Sequence, residues 1–296
     1  MSSGWSLYII IITFVNILGC FWLITWTTKK RAGEAKQGEV TGHTWDGDLQ
    51  EYNNPLPRWW LWLFILTIIF AFGYLFLYPG LGSYAGSTGW SQQAQYESEM
   101  SAAKATYEPL FAAYAQKPIP ELAKDKSAME SGHRLFLNYC ASCHGSDAGG
   151  SPGFPNLTDG IWLYGGEPDT IKTSILDGRT GVMPPMGAGL NETQLNDLTA
   201  YVISLSGRDA SSIGRVEEGQ KQFANLCVAC HGADGKGNMA AGFPNLTDND
   251  WLYGGTPGAI KQTLTQGRNG KMPAHREFLG EEKVHLLAAY IYSLNQ

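Results

Sequence analysis

Two short stretches carry residue types that do chemistry at a fixed spacing: "CASCH", with Cys140, Cys143 and His144, and "CVACH", with Cys227, Cys230 and His231. Two thiols at i and i+3 reach the two vinyl groups of one haem as thioethers, and the adjoining imidazole lies under the iron. The C-x-x-C-H pattern therefore reads as covalent haem c attachment. Other chemistries use cysteine pairs. A redox dithiol needs no histidine after it. Zinc would need both pairs to share one metal, yet 87 residues of repeated sequence separate them. Each copy is also followed by a Met-Pro, with Met183 39 residues after His144 and Met272 41 residues after His231. A thioether sulfur opposite the histidine is the usual pairing in cytochromes c and raises the potential. The expected site is thus four thioether cysteines (Cys140, Cys143, Cys227, Cys230) and the axial ligands His144, Met183, His231 and Met272, around two covalently bound haem c groups.

Met186 in "MPPM" competes with Met183 but has no methionine counterpart in the second copy. His275 is a nitrogen alternative, although a surface histidine is the simpler expectation. Spacing does not say whether each methionine serves the haem of its own copy or its neighbour's. Trp162 and Trp251, or Arg179 and Arg268, are candidates for holding propionates; the alternative places the tryptophans in the core and the arginines in surface pairs. His43, His133 and His285 read as solvated. A haem ligated on both faces leaves no open position for a substrate, so the site moves electrons and no catalytic residue is expected.

These residues sit in a duplicated frame. "FPNLTDGIWLYGG" (154–166) returns as "FPNLTDNDWLYGG" (243–255), "DGRTGVMPP" (177–185) as "QGRNGKMPA" (266–274), and "LNDLTAYVISLSG" (195–207) as "VHLLAAYIYSLNQ" (284–296). Each copy, 128–207 and 208–296, reads as one small domain: a helix entering C-x-x-C-H, a loop-rich middle and an amphipathic closing helix. The repeated thirteen residues are expected to wall the haem pocket. Upstream, residues 81–127 form a linker with a Gly/Ser cluster and a helix over 90–116, stopped by Lys117, Pro118 and Pro120.

Residues 1–80 differ in kind. The runs 7–28 and 59–79 carry no charge and are each long enough to cross a bilayer. The first has no preceding positive residue and no small-residue cleavage site, so it is not read as a signal peptide. Lys29, Lys30, Arg31, Lys36 and Arg58 lie between the runs, and no Lys or Arg occurs from 80 to 103. By the positive-inside rule the loop is cytoplasmic, and both termini and the haem domains are periplasmic. Trp22, Trp26, Trp59, Trp60 and Trp62 suit an interfacial belt. Asn16, in mid-span, is expected to face another helix, the alternative being a bond within its own helix. Cys20 reads as a small buried hydrophobe. A net charge of −6 on the 296-residue chain argues against nucleic-acid binding. Residues 128–207 hold 8 acids against 3 bases, whereas 208–296 hold 9 of each. The first copy is therefore expected to meet a basic partner, and charge reversal among Asp147, Asp159, Glu167 and Asp169 to slow electron entry.

The "NNPLPRWWLWLF" entry (53–64) into the second apolar run, its "YPGLG" exit (78–82) and the tandem C-x-x-C-H copies together resemble the dihaem subunit, CcoP or FixP, of cbb3-type cytochrome c oxidases. The resemblance covers nearly the whole chain; the C-x-x-C-H motifs alone say only cytochrome c. Many members have a single anchoring helix, so the first run is an addition. The implied fold is mainly α: two N-terminal transmembrane helices followed by two tandem class I cytochrome c domains. The implied role is electron relay from a cytochrome c donor toward a haem–copper catalytic subunit, beside a monohaem cytochrome c subunit, in a bacterial inner membrane. The oxygen site lies in another chain, because these spans contain no histidine. A free-standing anchored dihaem shuttle shares every haem residue and stays open.

Overall fold

A computed structural model describes residues 2–296, which divide into two compact units, one ending at Ala105 and the other spanning Thr106–Gln296. In the first, helix α1 (Ser3–Thr27) leads to a hairpin of β1 (Val40–Trp45) and β2 (Leu49–Tyr52), and then to α2 (Arg58–Leu77). Helices α1 and α2 are long and apolar enough to span a membrane, and neither has one buried residue. A helix that is apolar all round and covered by no protein needs lipid around it. Phe14 of α1 meets Phe72 of α2, and Ser6 Oγ accepts from the Ser83 amide at 2.8 Å. Trp22 stacks on Trp26, and Arg31 lies 4.0 Å over the Trp26 ring, at the end of α1 that enters the hairpin. Asn16 does not reach a second helix: its Nδ2 donates to the Ile12 carbonyl at 2.7 Å, one turn back. Cys20 is exposed on the lipid-type surface rather than buried. The β1–β2 hairpin, with the His43 ring tilted against Trp45 at 4.4 Å, is an element the sequence did not announce.

Helix α3 (Gln92–Ala115) contains the division between the units, close to the helix expected over 90–116. The second unit continues with α4 (Ile119–Leu122), α5 (Lys126–Tyr139), α6 (Ala141–His144), α7 (Pro168–Asp177), β3 (Arg179–Met183) and α8 (Glu192–Leu205). It then repeats the series as α9 (Val216–Leu226), α10 (Val228–His231), α11 (Pro257–Gln266), β4 (Arg268–Met272), α12 (Arg276–Leu279) and α13 (Glu281–Ser293). Local chemistry fixes the ends. The Asp125 carboxylate caps α5 through the Ser127 and Ala128 amides, and Asn191 with Gln194 closes a capping box on α8. Proline opens α7 and α11.

Packing does not follow the order of the repeats. The closing helix α13 lies on α5 and α7 of the first copy, and α8 lies on α9 of the second. One core gathers Phe136, Ile171, Ile175, Leu286, Leu287 and Ile291; the other gathers Leu198, Val202, Ile203, Phe223, Ile260 and Leu264. The helices cross at glycine. A Cβ on Gly132 would stand 2.8 Å from Tyr290 Cβ, and one on Gly219 would stand 2.8 Å from Tyr201 Cβ. Strands β3 and β4 pair antiparallel with Gly181 opposite Gly270 at the centre, Arg179 opposite Met272 and Met183 opposite Arg268. The second packing module, roughly residues 179–270, is thus nested in the chain between the two parts of the first.

Candidate haem sites

The repeated piece acts first on the histidines. Helices α6 and α10 carry the C-x-x-C-H residues and stop at Gly145 and Gly232, whose φ values of 80° and 76° favour glycine. The chain then turns back so that His144 Nδ1 meets the Pro155 carbonyl at 2.9 Å and His231 Nδ1 meets the Pro244 carbonyl at 3.2 Å. A carbonyl accepts only from N–H, so both rings are fixed with the proton on Nδ1 and Nε2 left for a metal. Around each proline the same bonds recur: Leu157 to the Ala148 carbonyl and Leu246 to the Gly235 carbonyl, both at 2.8 Å. Asn156 and Asn245 each take the amide and hydroxyl of the threonine two residues on. Burial pushes the His231 imidazole pKa down, which keeps it in the neutral, ligating form.

Leu157 and Trp162 line one core and Leu246 and Trp251 the other, as pocket walls should, but Phe154 is exposed. The repeated piece also joins the modules. The Gly153 amide donates to the Leu252 carbonyl at 2.7 Å, and a Cβ on Gly153 would stand 3.3 Å from the Tyr253 ring. Tyr164 presses on Gly242.

The residues fit haem c. None of the four motif cysteines is spent in a disulfide, and burial pushes the Cys140 and Cys227 thiols up to about 11, which disfavours the thiolate a metal ion would need. Among the described residues no three His, Cys, Asp or Glu side chains cluster as a metal ion would need. In the second module Trp251 Nε1 and Arg208 Nη2 are buried donors without a partner, with the Arg208 guanidinium 5.1 Å over the Trp251 ring. Two unsatisfied donors on neighbouring side chains suit a carboxylate such as a propionate. Sequence reasoning missed Arg208 because it lies just outside the repeated stretch 195–207, so the repeat did not single it out.

Met272 packs into the core that holds Cys140, Ala141 and Trp162, and Met183 into the one that holds Cys227, Val228 and Trp251. Each methionine therefore accompanies the C-x-x-C-H of the other copy. Flanking bonds agree: the His275 amide donates to Ile175 at 3.0 Å, and the Gly187 amide to Leu264 at 2.7 Å. The arginines hold these strands. Arg179 lies 4.6 Å over Tyr164 and donates to Ser174 Oγ at 2.9 Å; Arg268 lies 4.6 Å over Tyr253 and donates to Thr263 Oγ1 at 2.9 Å. They are neither surface ion pairs nor otherwise occupied by a carboxylate. His285 is buried, not solvated, with Nε2 2.8 Å from the Lys117 carbonyl. His275 is half-buried, with an unpartnered Nδ1, and His133 stacks on Tyr290.

Comparison with known proteins gives a consistent picture. A family model described as the N-terminal domain of cytochrome oxidase-cbb3, FixP, matches residues 37–85, and one described as cytochrome c oxidase, cbb3-type, subunit III, matches 127–202 and 214–291. A cbb3-type cytochrome c oxidase subunit CcoP from Rubrivivax gelatinosus is 47% identical over 296 residues, 100% of this chain and 96% of the relative, so the alignment takes in the first helix. A subunit FixP from Azorhizobium caulinodans is 39% identical over 86% of this chain and 92% of its own length. A CcoP from Cereibacter sphaeroides is 36% identical over 90% and 97%.

Proposed function

Since the chain belongs to the CcoP/FixP family of cbb3-type cytochrome c oxidase subunits, we propose that it takes electrons from a periplasmic cytochrome c donor and relays them toward the haem–copper subunit that reduces oxygen. It is a membrane-anchored dihaem cytochrome c of an oxidase complex. In this reading Cys140, Cys143, His144 and Met272 hold one haem, and Cys227, Cys230, His231 and Met183 the other. The domains follow the packing modules, so that 128–207 and 208–296 each lend their methionine strand and closing helix to the other. The observation that carries the relay is the single β3–β4 ribbon, which brings both methionines to one element between the two sites. Haem supplies a one-electron couple at the iron. The chain's own work is to orient each imidazole through a proline carbonyl, to seat a sulfur opposite it, to exclude water with Trp162 and Trp251, and to hold the two sites in fixed relation.

The basic loop between α1 and α2 supports an inner-membrane hairpin with both termini and the haem modules in the periplasm. The monohaem subunit and the haem–copper subunit are the expected neighbours within the complex. A reduced-minus-oxidised spectrum of what co-purifies with the chain in mild detergent tests this. Haem b bands beside haem c, with oxygen uptake, support the oxidase subunit. Haem c alone, at two per chain and with no partner, sinks it in favour of a free-standing shuttle.

A further inference from the structure

The two modules finish their haem edges differently, and this difference rests on the methionine exchange and donor role proposed above. Immediately before Cys140 stands Tyr139, and on α12, just after Met272, stands Phe278. Their rings meet edge to face at 5.2 Å, with Tyr139 41% and Phe278 68% exposed. The equivalent positions of the other module are the half-buried Leu226 and the ringless Gly189. Phe278 is flanked in sequence by Glu277 and Arg276, and Arg276 bonds Asp177 at 2.7 Å and Glu281 at 2.6 Å, with Glu282 next on α13; all four acids are exposed, and Lys283 beside Glu282 lies over the Phe111 ring at 5.5 Å. Among the described residues Glu277 and Glu282 have no ion pair. In the other module Arg276 and Glu277 are replaced by Gly187 and Ala188.

We propose that the Tyr139–Phe278 pair and its acidic rim form the docking surface for the electron donor, a lysine-rich one-electron carrier protein with an apolar centre to its contact face. An exposed aromatic anchor beside acids that outnumber their one ion-paired arginine suits a brief encounter: charge steers the approach, and the rings exclude water at the centre. A lining of small residues such as Gly187, Ala188 and Gly189 offers neither. One electron leaves the reduced carrier, which is oxidised, and enters this module, which is reduced; no bond forms or breaks and no proton is needed.

The test uses the purified complex in detergent, stopped-flow mixing and a reduced, lysine-rich class I cytochrome c as probe, with a small-molecule reductant as the control that needs no docking. Glu277→Lys with Glu282→Lys should cut the bimolecular rate about tenfold at low salt and converge on wild type at high salt, because screening removes the steering. Tyr139→Leu with Phe278→Gly, which copies the other module, should cut it several-fold at every salt concentration. In both variants the haem c spectrum and reduction by the small molecule stay as in wild type. Unchanged rates in both variants overturn the surface, as does loss of the other subunits with the rate per chain preserved, which would make this face a subunit contact. A wild-type complex that the probe does not reduce overturns the donor reading itself.

Discussion

Exchange of the axial methionines can be tested by marking one haem. Cys143 is exposed, so Cys143→Ala opens no cavity, and it leaves one vinyl group conjugated with the ring, moving the reduced band of that haem to longer wavelength. On this background Met272→Leu, a near volume-conserving swap that costs under about 1.5 kcal/mol in packing, removes a sulfur ligand from one site. Axial ligation spans about 0.8 V in haem proteins, so loss of a thioether should lower the potential of its own haem by on the order of 0.1–0.3 V. The other haem feels only charge. Met183 and Met272 stand at opposite ends of a five-residue ribbon, about 15 Å apart at about 3.4 Å per residue. Two unit charges at that distance and an effective dielectric of 20 interact by about 1 kcal/mol, or about 50 mV for a one-electron couple. Ligand loss therefore exceeds cross-talk several-fold, and the two cannot be confused. Spectroelectrochemical titration should show the marked band falling with Met272→Leu and the unmarked band falling with Met183→Leu. The reverse pattern refutes the exchange.

Three further outcomes follow from the packing. Asp197 is 2% exposed and takes the Arg215 amide and guanidinium, both at 2.7 Å; Asp197→Asn should cost about 2 kcal/mol, or a fall of about 4–8 °C in Tm. Those bonds hold the Asp197 pKa below the usual carboxylate range, so its contribution is complete above the ordinary value near pH 4 and fades as pH falls through its own lower one; melts of the variant and wild type should converge in acid. Gly219→Ala sets a Cβ 2.6 Å from the Asp197 carbonyl carbon as well as against Tyr201, whereas Gly132→Ala meets only Tyr290 closely; overpacking should outweigh the helix gain and cost about 2–3 kcal/mol at Gly219 and about half that at Gly132, read by thermal melts. Trp251→Phe keeps an aromatic, though smaller, side chain but removes the unpartnered Nε1 donor, and should shift the midpoint and its pH dependence for the haem of Cys227 and Cys230 while leaving the other haem alone.

The chemistry and the anchor were legible because they are local. C-x-x-C-H states its ligands within five residues, and an uncharged run of twenty states its solvent. The amphipathic closing helices announced themselves by period. What stayed hidden depends on which surfaces meet. His285 looks like any polar residue on a helix until α13 brings it to the Lys117 carbonyl, and Phe154 looks like pocket wall until the turn that holds His144 leaves its ring outside. Asn16 had two partners on offer and took the nearer one. The β1–β2 hairpin was missed because its strands, wholly exposed, lack the alternation that marks a half-buried strand.

The exchange was hidden for a sharper reason: identical halves offer two closures of nearly equal cost. As found, 10 residues join α8 to α9 and 141 separate α5 from α13; with each copy closed on itself the intervals would be 52 and 54. Loop-closure entropy favours the exchanged form by only about 0.6 kcal/mol. Chain length does not choose, so side chains that differ between the copies must. Asp197 of α8 corresponds to Leu286 of α13, and Arg215 at the head of α9 corresponds to Ala128 of α5. Against α9 the buried carboxylate finds Arg215; against α5 it would lie over Ala128 with no cation, at a cost of about 3–5 kcal/mol for an unpaired buried charge. His285, which replaces Asn196 at the matching position, reaches the carbonyl just ahead of α4 only when α13 lies on the first copy. The thirteen repeated residues set each C-x-x-C-H histidine against its proline carbonyl, and these few unrepeated ones decide which halves pack together, partly by penalising the alternative.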